Sequence, residues 1–319
     1  MFRIACASLC ATLIALPAPV AAADGYPQKP IRLVIPFSPG GGTDVLARAL
    51  SDKLTEALGA SLVIDTRPGA GGTLGSGIVA RSDPDGYTFL FTSASHTYIP
   101  GIYKDLPYDP VKDFRSITMF ASMPNLLVVH PSVPATSLKQ LLALARKRPD
   151  AIYYASAGRG SNLHLTTELF LYMAKVRMLP VPYKGGGPAM IGLMSGEVHV
   201  MLPTIQSVMP FVKAGRMRAL AVSTRQRAPT VPDLPTIDEA GVPGYDKVGW
   251  FGLFAPAAVP ELVVSHIYHA TAKVLKDPDV VKRLASEGAI AVGNPPAEFD
   301  AFVRAEIATW TKLIREMKL

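Results

Sequence analysis

The chain has 319 residues, of which 32 are Lys or Arg and 25 are Asp or Glu, a formal charge of +7. The basic excess is small and scattered, with no basic run interleaved with aromatics, which argues against nucleic-acid binding. Both cysteines, Cys6 and Cys10, fall within the first 23 residues, so the rest of the chain can hold no disulfide, redox centre or thiolate metal site.

Those first residues, MFRIACASLCATLIALPAPVAAA, carry Arg3, an apolar run from Ile4 to Leu16 and a small-residue end at Ala21-Ala22-Ala23. That is the layout of a secretory signal, and the run is too short to span a bilayer. Cleavage is expected after Ala23 or one residue earlier. Neither cysteine follows the Leu-small-small pattern of a lipoprotein leader, so no lipid anchor is expected. Removing the leader takes 23 of the 319 residues and one arginine, leaving about 296 residues and a charge of +6. That length suits one large domain or two lobes. No later apolar stretch approaches the length of a membrane span. The mature chain is expected to be soluble, monomeric and periplasmic.

The elements alternate nearly throughout. Residues 31–37 (IRLVIPF) read as a buried strand. Residues 45–58 form an amphipathic helix with Leu46, Leu50, Leu54 and Leu58 on one face and Gly59 as its stop. A strand at 61–67, a short helix within 71–82, the turn DPDG and a strand at 87–93 follow. This β-α-β-α-β order predicts a mostly parallel sheet covered by helices. Beyond 114–131 the order repeats. A helix at 137–148, a strand at 151–157, a helix at 162–176 and a strand at 178–183 precede a helix opening at Pro188, a favoured first-turn proline. Strands at 197–203 and 217–224, a proline-rich loop at 225–244, a late strand at 249–257 and two or three helices complete the chain. The pattern describes two α/β units joined near 122–126 and 222–228. Lobe 1 then comprises 24–124 and 225–319, lobe 2 comprises 125–224, and the late strand returns to the first sheet.

Most familiar motifs fail. Gly40 cannot open a Walker loop, because Val45, Leu46 and Ala47 stand where the last Gly, Lys and Ser or Thr belong. Gly75-x-Gly77-x-x-Ala80 fits a loose dinucleotide fingerprint but follows a glycine-rich loop instead of a strand, so it reads as turn chemistry. Ser161 follows Gly160, but Leu163 occupies the last position of a nucleophile elbow, and Ser161 reads better as a helix N-cap. His96, His164 and Asp44 could still meet a serine in space, which leaves an exported serine hydrolase as the rival reading. His266 and His269 lack a third ligand, so no metal is expected. No cofactor is expected either. Leu163, Leu165, Leu169 and Met173 read as core.

What recurs is physical. At Gly40–Asp44, Gly158–Ser161 and Gly185–Pro188 an apolar strand ends in a glycine-containing turn and a helix begins. Helix N-termini present unpaired N–H groups and a partial positive charge, suited to a carboxylate or phosphate. Glycine lets an anion reach the backbone. Asp44 could instead fill that role itself, as an ordinary cap.

The segments YPQKPIRLVIPFSPGGGTDVLARAL, TRPGAGGTLGSGIVARSDPDGYTFLF, YASAGRGSNLHLTTELF, PVPYKGGGPAMIGLMSGEVHVML and LPTIDEAGVPGYDKVGWFGLFAPA occur in that order. Together they resemble the Bug-type solute-binding proteins of tripartite tricarboxylate transporters, over essentially the whole mature chain. The resemblance implies a two-lobed type II periplasmic binding protein, closing like a Venus flytrap and delivering its ligand to membrane components of such a transporter. It implies that the turns holding Gly40, Gly41, Gly42, Thr43 and Asp44, and Ala157, Gly158, Gly160, Ser161 and His164, pinch a carboxylate through backbone N–H groups and ordered water. Phe37 and Ser38 would line the first lobe's wall, with Ser93, Ser95 and His96 on the loop after the third strand. Tyr183, Lys184, Gly185, Pro203 and Thr204 would face them from the second lobe. Family members often carry an acid just after the strand equivalent to VHVML. Here Leu202-Pro203-Thr204 has none, which favours an uncharged or aromatic body on a mono- or dicarboxylate. A sensor module reporting to a membrane kinase would share this binding chemistry.

Overall fold

The structure, a computed structural model, describes residues 25–319, so the expected leader lies outside the described residues. Two sheets build the two lobes. In the first, β1 (Ile31–Ile35) lies between β2 (Leu62–Thr66) and β3 (Thr88–Ser93), parallel to both. The late strand β10 (Val248–Pro256) runs antiparallel between β3 and β4 (Phe114–Pro124), and β11 (Ile290–Ala291) pairs with the outer edge of β4. In the second sheet, β6 (Tyr153–Ser156) is parallel to β7 (Leu179–Pro182) and β8 (Val200–Met201). There β5 (Leu126–Val129) runs antiparallel to both β8 and β9 (Arg218–Val222).

The late strand therefore returns to the first sheet, as the pattern predicts. The sheets are mixed and not mostly parallel. The reason is topological: the chain leaves lobe 1 along β4 and comes back along β10, so neighbouring outgoing and returning strands run in opposite senses. The crossing is tied by hydrogen bonds. The Asn125 amide donates to Ser223 Oγ (2.8 Å), Ser223 N to the Asn125 carbonyl (2.9 Å) and Lys247 N to the Ser223 carbonyl (2.8 Å). The proline-rich segment stays with lobe 2. Val222 N donates to Pro235 O (2.9 Å), and the Tyr245 hydroxyl donates to Thr166 O (3.0 Å). These bonds tie the segment to lobe 2 before β10 enters the first sheet at Val248.

Helix α1 (Gly42–Leu58) buries Leu46, Leu50, Leu54 and Leu58 and stops at Gly59 with φ +67°, the left-handed conformation that glycine supplies without Cβ strain. It starts three residues before the amphipathic pattern, because Gly42, Thr43 and Asp44 form its first turn. Helix α2 (Thr73–Ala80) precedes β3, and α3 (Ser95–Ile102) replaces the loop expected after it. Lobe 2 carries α4 (Leu138–Lys147), α5 (Asn162–Ala174), α6 (Gly186–Met194) and α7 (Ile205–Lys213). Helices α8 (Glu261–Leu275), α9 (Pro278–Ser286) and α10 (Pro296–Met317) close the chain on lobe 1. No described helix is long and apolar enough to cross a membrane.

Candidate functional site

The start of α1 in lobe 1 faces the starts of α5, α6 and α7 in lobe 2 across a cavity of about 50 Å³. Gly41, Gly42 and Thr43 supply its wall from α1, Ser161, Asn162 and Leu163 from α5, Gly186 from α6, and Thr204 and Ser207 from α7. Phe37, Met190, Met201, Pro203 and Phe251 provide apolar surface, and Ser93 and Ala157 complete it. Among the described residues no charged side chain lines this cavity. Each helix start leaves amides without an intrahelical acceptor, and four such ends sum their partial positive charge on one spot. The first turns of α5, α6 and α7 carry no acid to cancel that field.

Both facing turns are wired alike. Gly40 (φ +81°) precedes the α1 N-cap Gly41, and its amide donates to Asp44 Oδ2 at 2.9 Å. Gly160 (φ +80°) precedes the α5 N-cap Ser161, and its amide donates to His164 Nδ1 at 3.3 Å. In each case the third helical residue reaches back four positions and occupies the amide before the cap. The first two helical residues, Gly42 and Thr43 or Asn162 and Leu163, line the cavity. Asp44 is almost fully buried, and its other oxygen accepts from Arg48 Nε at 2.8 Å, so its charge is spent away from the cavity. Burial, helped by the charge of Arg159, lowers the His164 pKa to about 4. At neutral pH the ring is therefore neutral, as accepting from an amide requires.

The lobes touch at the rim. The Ser38 amide and hydroxyl both donate to the Lys184 carbonyl (3.3 and 3.1 Å), and the Tyr103 hydroxyl donates to the Arg159 carbonyl (3.1 Å). A Cβ on Gly71 would collide with that same Arg159 carbonyl, and one on Gly187 with the Pro39 carbonyl. Only glycine permits these backbones to meet.

This arrangement has relatives. The Tripartite tricarboxylate transporter family receptor model matches residues 46–319. Protein BugT of Bordetella pertussis is 35% identical over 301 residues, covering 94% of this chain and 92% of that protein. The solved periplasmic binding protein BugD superposes with a TM-score of 0.89 at 33% identity, covering 92% of this chain and 99% of that one. A structure described as R. palustris Rpa4515 with adipate gives 0.88 at 38% identity, covering 92% and 98%. The chain belongs to the Bug-type receptors of tripartite tricarboxylate transporters. Members of this family are periplasmic solute-binding proteins and not enzymes.

Within this receptor the sequence-predicted residues fall into three places. Phe37, Gly41, Gly42, Thr43, Ser93, Ala157, Ser161, Pro203 and Thr204 line the cavity. Ser38, Gly158, Tyr183 and Lys184 line an outer cleft that shares only Ala157 with it, and Gly185 packs beside Ser38. Gly40, Asp44, Gly160 and His164 hold the turns from behind. Ser95 also stands behind, its hydroxyl 3.0 Å from that of Ser93.

His96 does not reach the cleft. It sits in the first turn of α3 with its ring 4.4 Å from Phe254 and its Nε2 donating to Pro110 O at 2.9 Å. Complete burial lowers its pKa to about 4. As a helical residue it faces the sheet, whereas a loop residue could have turned outward. Neither the His96 ring nor the His164 ring is hydrogen-bonded to a serine hydroxyl. The Ser161 hydroxyl accepts from His164 N (3.3 Å) as a cap, and His164 Nδ1 is committed to Gly160. Leu163, expected in the core, is buried there and also lines the cavity, because it is in the first turn of α5. Sequence reasoning missed Asn162, Gly186, Met190, Met201, Ser207 and Phe251. Phe251 arrives through its register opposite Ser93 in the antiparallel β10–β3 pair, a long-range pairing that no local pattern announces.

Proposed function

We propose that this receptor captures a small organic acid by one carboxylate and passes it to the membrane components of a tripartite tricarboxylate transporter. The carboxylate sits on the amides of Gly42 and Thr43 from one lobe and Asn162 and Leu163 from the other, aided by the Ser93 and Thr204 hydroxyls. The body lies among Phe37, Met190, Met201 and Phe251. The observation that carries this reading is the convergence of helix N-termini from both lobes on a cavity that no charged side chain among the described residues lines. Such a site stabilises an anion through fixed N–H groups and offers an ammonium group nothing to pair with. The adipate held by the structural neighbour Rpa4515 supports an acid as the solute class. The uncharged walls favour a neutral, alkyl or aromatic body.

The test is calorimetry and thermal unfolding with paired compounds, each organic acid beside its primary amide. Mass action requires a ligand of the folded state to raise the melting temperature. At least one acid should bind while its amide, identical in body, does not. Equal binding of acid and amide, or no response across mono- and dicarboxylates with alkyl and aromatic bodies, would contradict the reading. The expected leader belongs to the same proposal: N-terminal sequencing of the exported protein should begin at Asp24 or Ala23.

A further inference from the structure

The outer cleft differs in kind from the cavity. It measures about 590 Å³ and is bounded by Gly69, Ala70 and Gly71 of lobe 1 and by Arg159, Lys184 and Pro188 of lobe 2. Its two charged lining residues, Arg159 and Lys184, are both positive, both exposed and both without an ion-pair partner among the described residues. No acid lines it. Glu197 acts on the Tyr183 hydroxyl. That hydroxyl's pKa is pushed up to about 12, first by burial and then by Glu197.

The backbones of the same two residues make the lobe contacts. Arg159 offers its carbonyl to Tyr103, and Lys184 offers its carbonyl to Ser38. Their side chains are left free at the seam where the lobes meet. A closed rim and an unpaired positive charge thus come from single residues, with backbone and side chain serving separately.

We infer that Arg159 and Lys184 form an electrostatic mouth, which draws an anionic solute to the cleft and then releases it to the charge-free cavity. The inference rests on the reading that the solute is an acid. A cleft lined by one sign of charge with low-dielectric walls raises the local concentration of the opposite ion, and the effect fades with salt. Charges at the rim change the rate of capture, while contacts deeper in set the rate of escape. The mouth is therefore a device for speed and for rejecting cations, and the final grip belongs to the amides.

The field can be measured without knowing the solute. In the full chain carrying Cys6→Ser and Cys10→Ser, Pro188→Cys places one thiol in the cleft. Its reaction rates with an anionic sulfonatoethyl and a cationic trimethylammonioethyl methanethiosulfonate are compared, each relative to N-acetylcysteine amide. At low salt the anionic reagent should be favoured about tenfold, the lower end expected for steering, with the preference shrinking toward one at about 1 M salt. Adding Arg159→Gln and Lys184→Gln should bring the ratio to within about twofold of the small thiol. Adding Arg159→Glu and Lys184→Glu should invert it. A ratio that neither pair of substitutions moves, in proteins whose melting temperatures match the parent, overturns the inference. Because the readout needs no solute, a negative acid panel and a neutral mouth are separate failures.

Discussion

The two facing turns, Gly40–Asp44 and Gly160–His164, share one backbone design and differ in the side chain that closes it. Both begin with a glycine near φ +80°, pass through an N-cap and return an acceptor from the third helical residue to the glycine amide. Lobe 1 uses a carboxylate and balances it with Arg48; lobe 2 uses a neutral imidazole and adds a serine cap. The common requirement is an acceptor of the right reach and not a charge. Each turn satisfies the glycine amide before the cap with a side chain of its own helix. Charge is kept out of the cavity in both, by an ion pair in one and by a depressed pKa in the other.

Acid should separate the two turns most strongly. An unfolded histidine binds a proton near pH 6.5, whereas His164 and His96 do so only near 4 in the folded protein. The stability they permit is complete above pH 6.5 and is lost as pH falls toward 4, by at most about 3 kcal/mol for each ring. His164→Asn keeps an acceptor of similar reach and removes the titration. It should lower the pH slope of unfolding free energy in that window by about one proton, as urea titrations at a series of pH values would show. An unchanged slope would mean that His164 is charged in the fold and the resemblance between the turns is superficial.

A smaller effect, confined to binding, is expected from Gly42→Val. A Cβ there would stand 2.5 Å from Thr204 Oγ1 and 3.1 Å from the Phe251 ring. Closure around a solute should weaken about thirtyfold, equivalent to an overpacking cost near 2 kcal/mol, read by calorimetry. Ser161→Ala removes the cap that lobe 1 lacks and should lower stability by about 1 kcal/mol. Asp44→Asn should cost the least, under about 1 kcal/mol, because the amide oxygen still accepts from Gly40. A loss of several kcal/mol at Asp44 would show that the charge, and not the acceptor, holds the first turn.

The glycine-containing turns and the apolar strands before them were legible because their signals are local: β-branched runs, φ-permissive glycines and a cap. The two lobes and the returning strand followed from element order. Helices α3 and α7 were not legible, and both contain an internal proline, Pro100 and Pro210. Such a proline reads as a helix stop, yet it removes only one hydrogen bond from a helix that packing sustains. Missing α3 is what misplaced His96, since a helical residue's direction is set by its helix. Missing α7 hid Ser207, which its first turn brings beside Thr204. Phe251, Met190 and Met201 look like core in any local window. Only the β10 register and the meeting of the lobes make them cavity wall.

The central claim is that backbone amides from both lobes hold the solute's carboxylate. Amide proton and nitrogen shifts of Gly42, Thr43, Asn162 and Leu163 test it most directly, followed by NMR while the best-binding acid from the paired panel is titrated. All four amide protons should move downfield together and saturate at one concentration, while the matching primary amide leaves them in place. Shifts confined to one lobe, or to lysine and arginine side chains, would contradict the account.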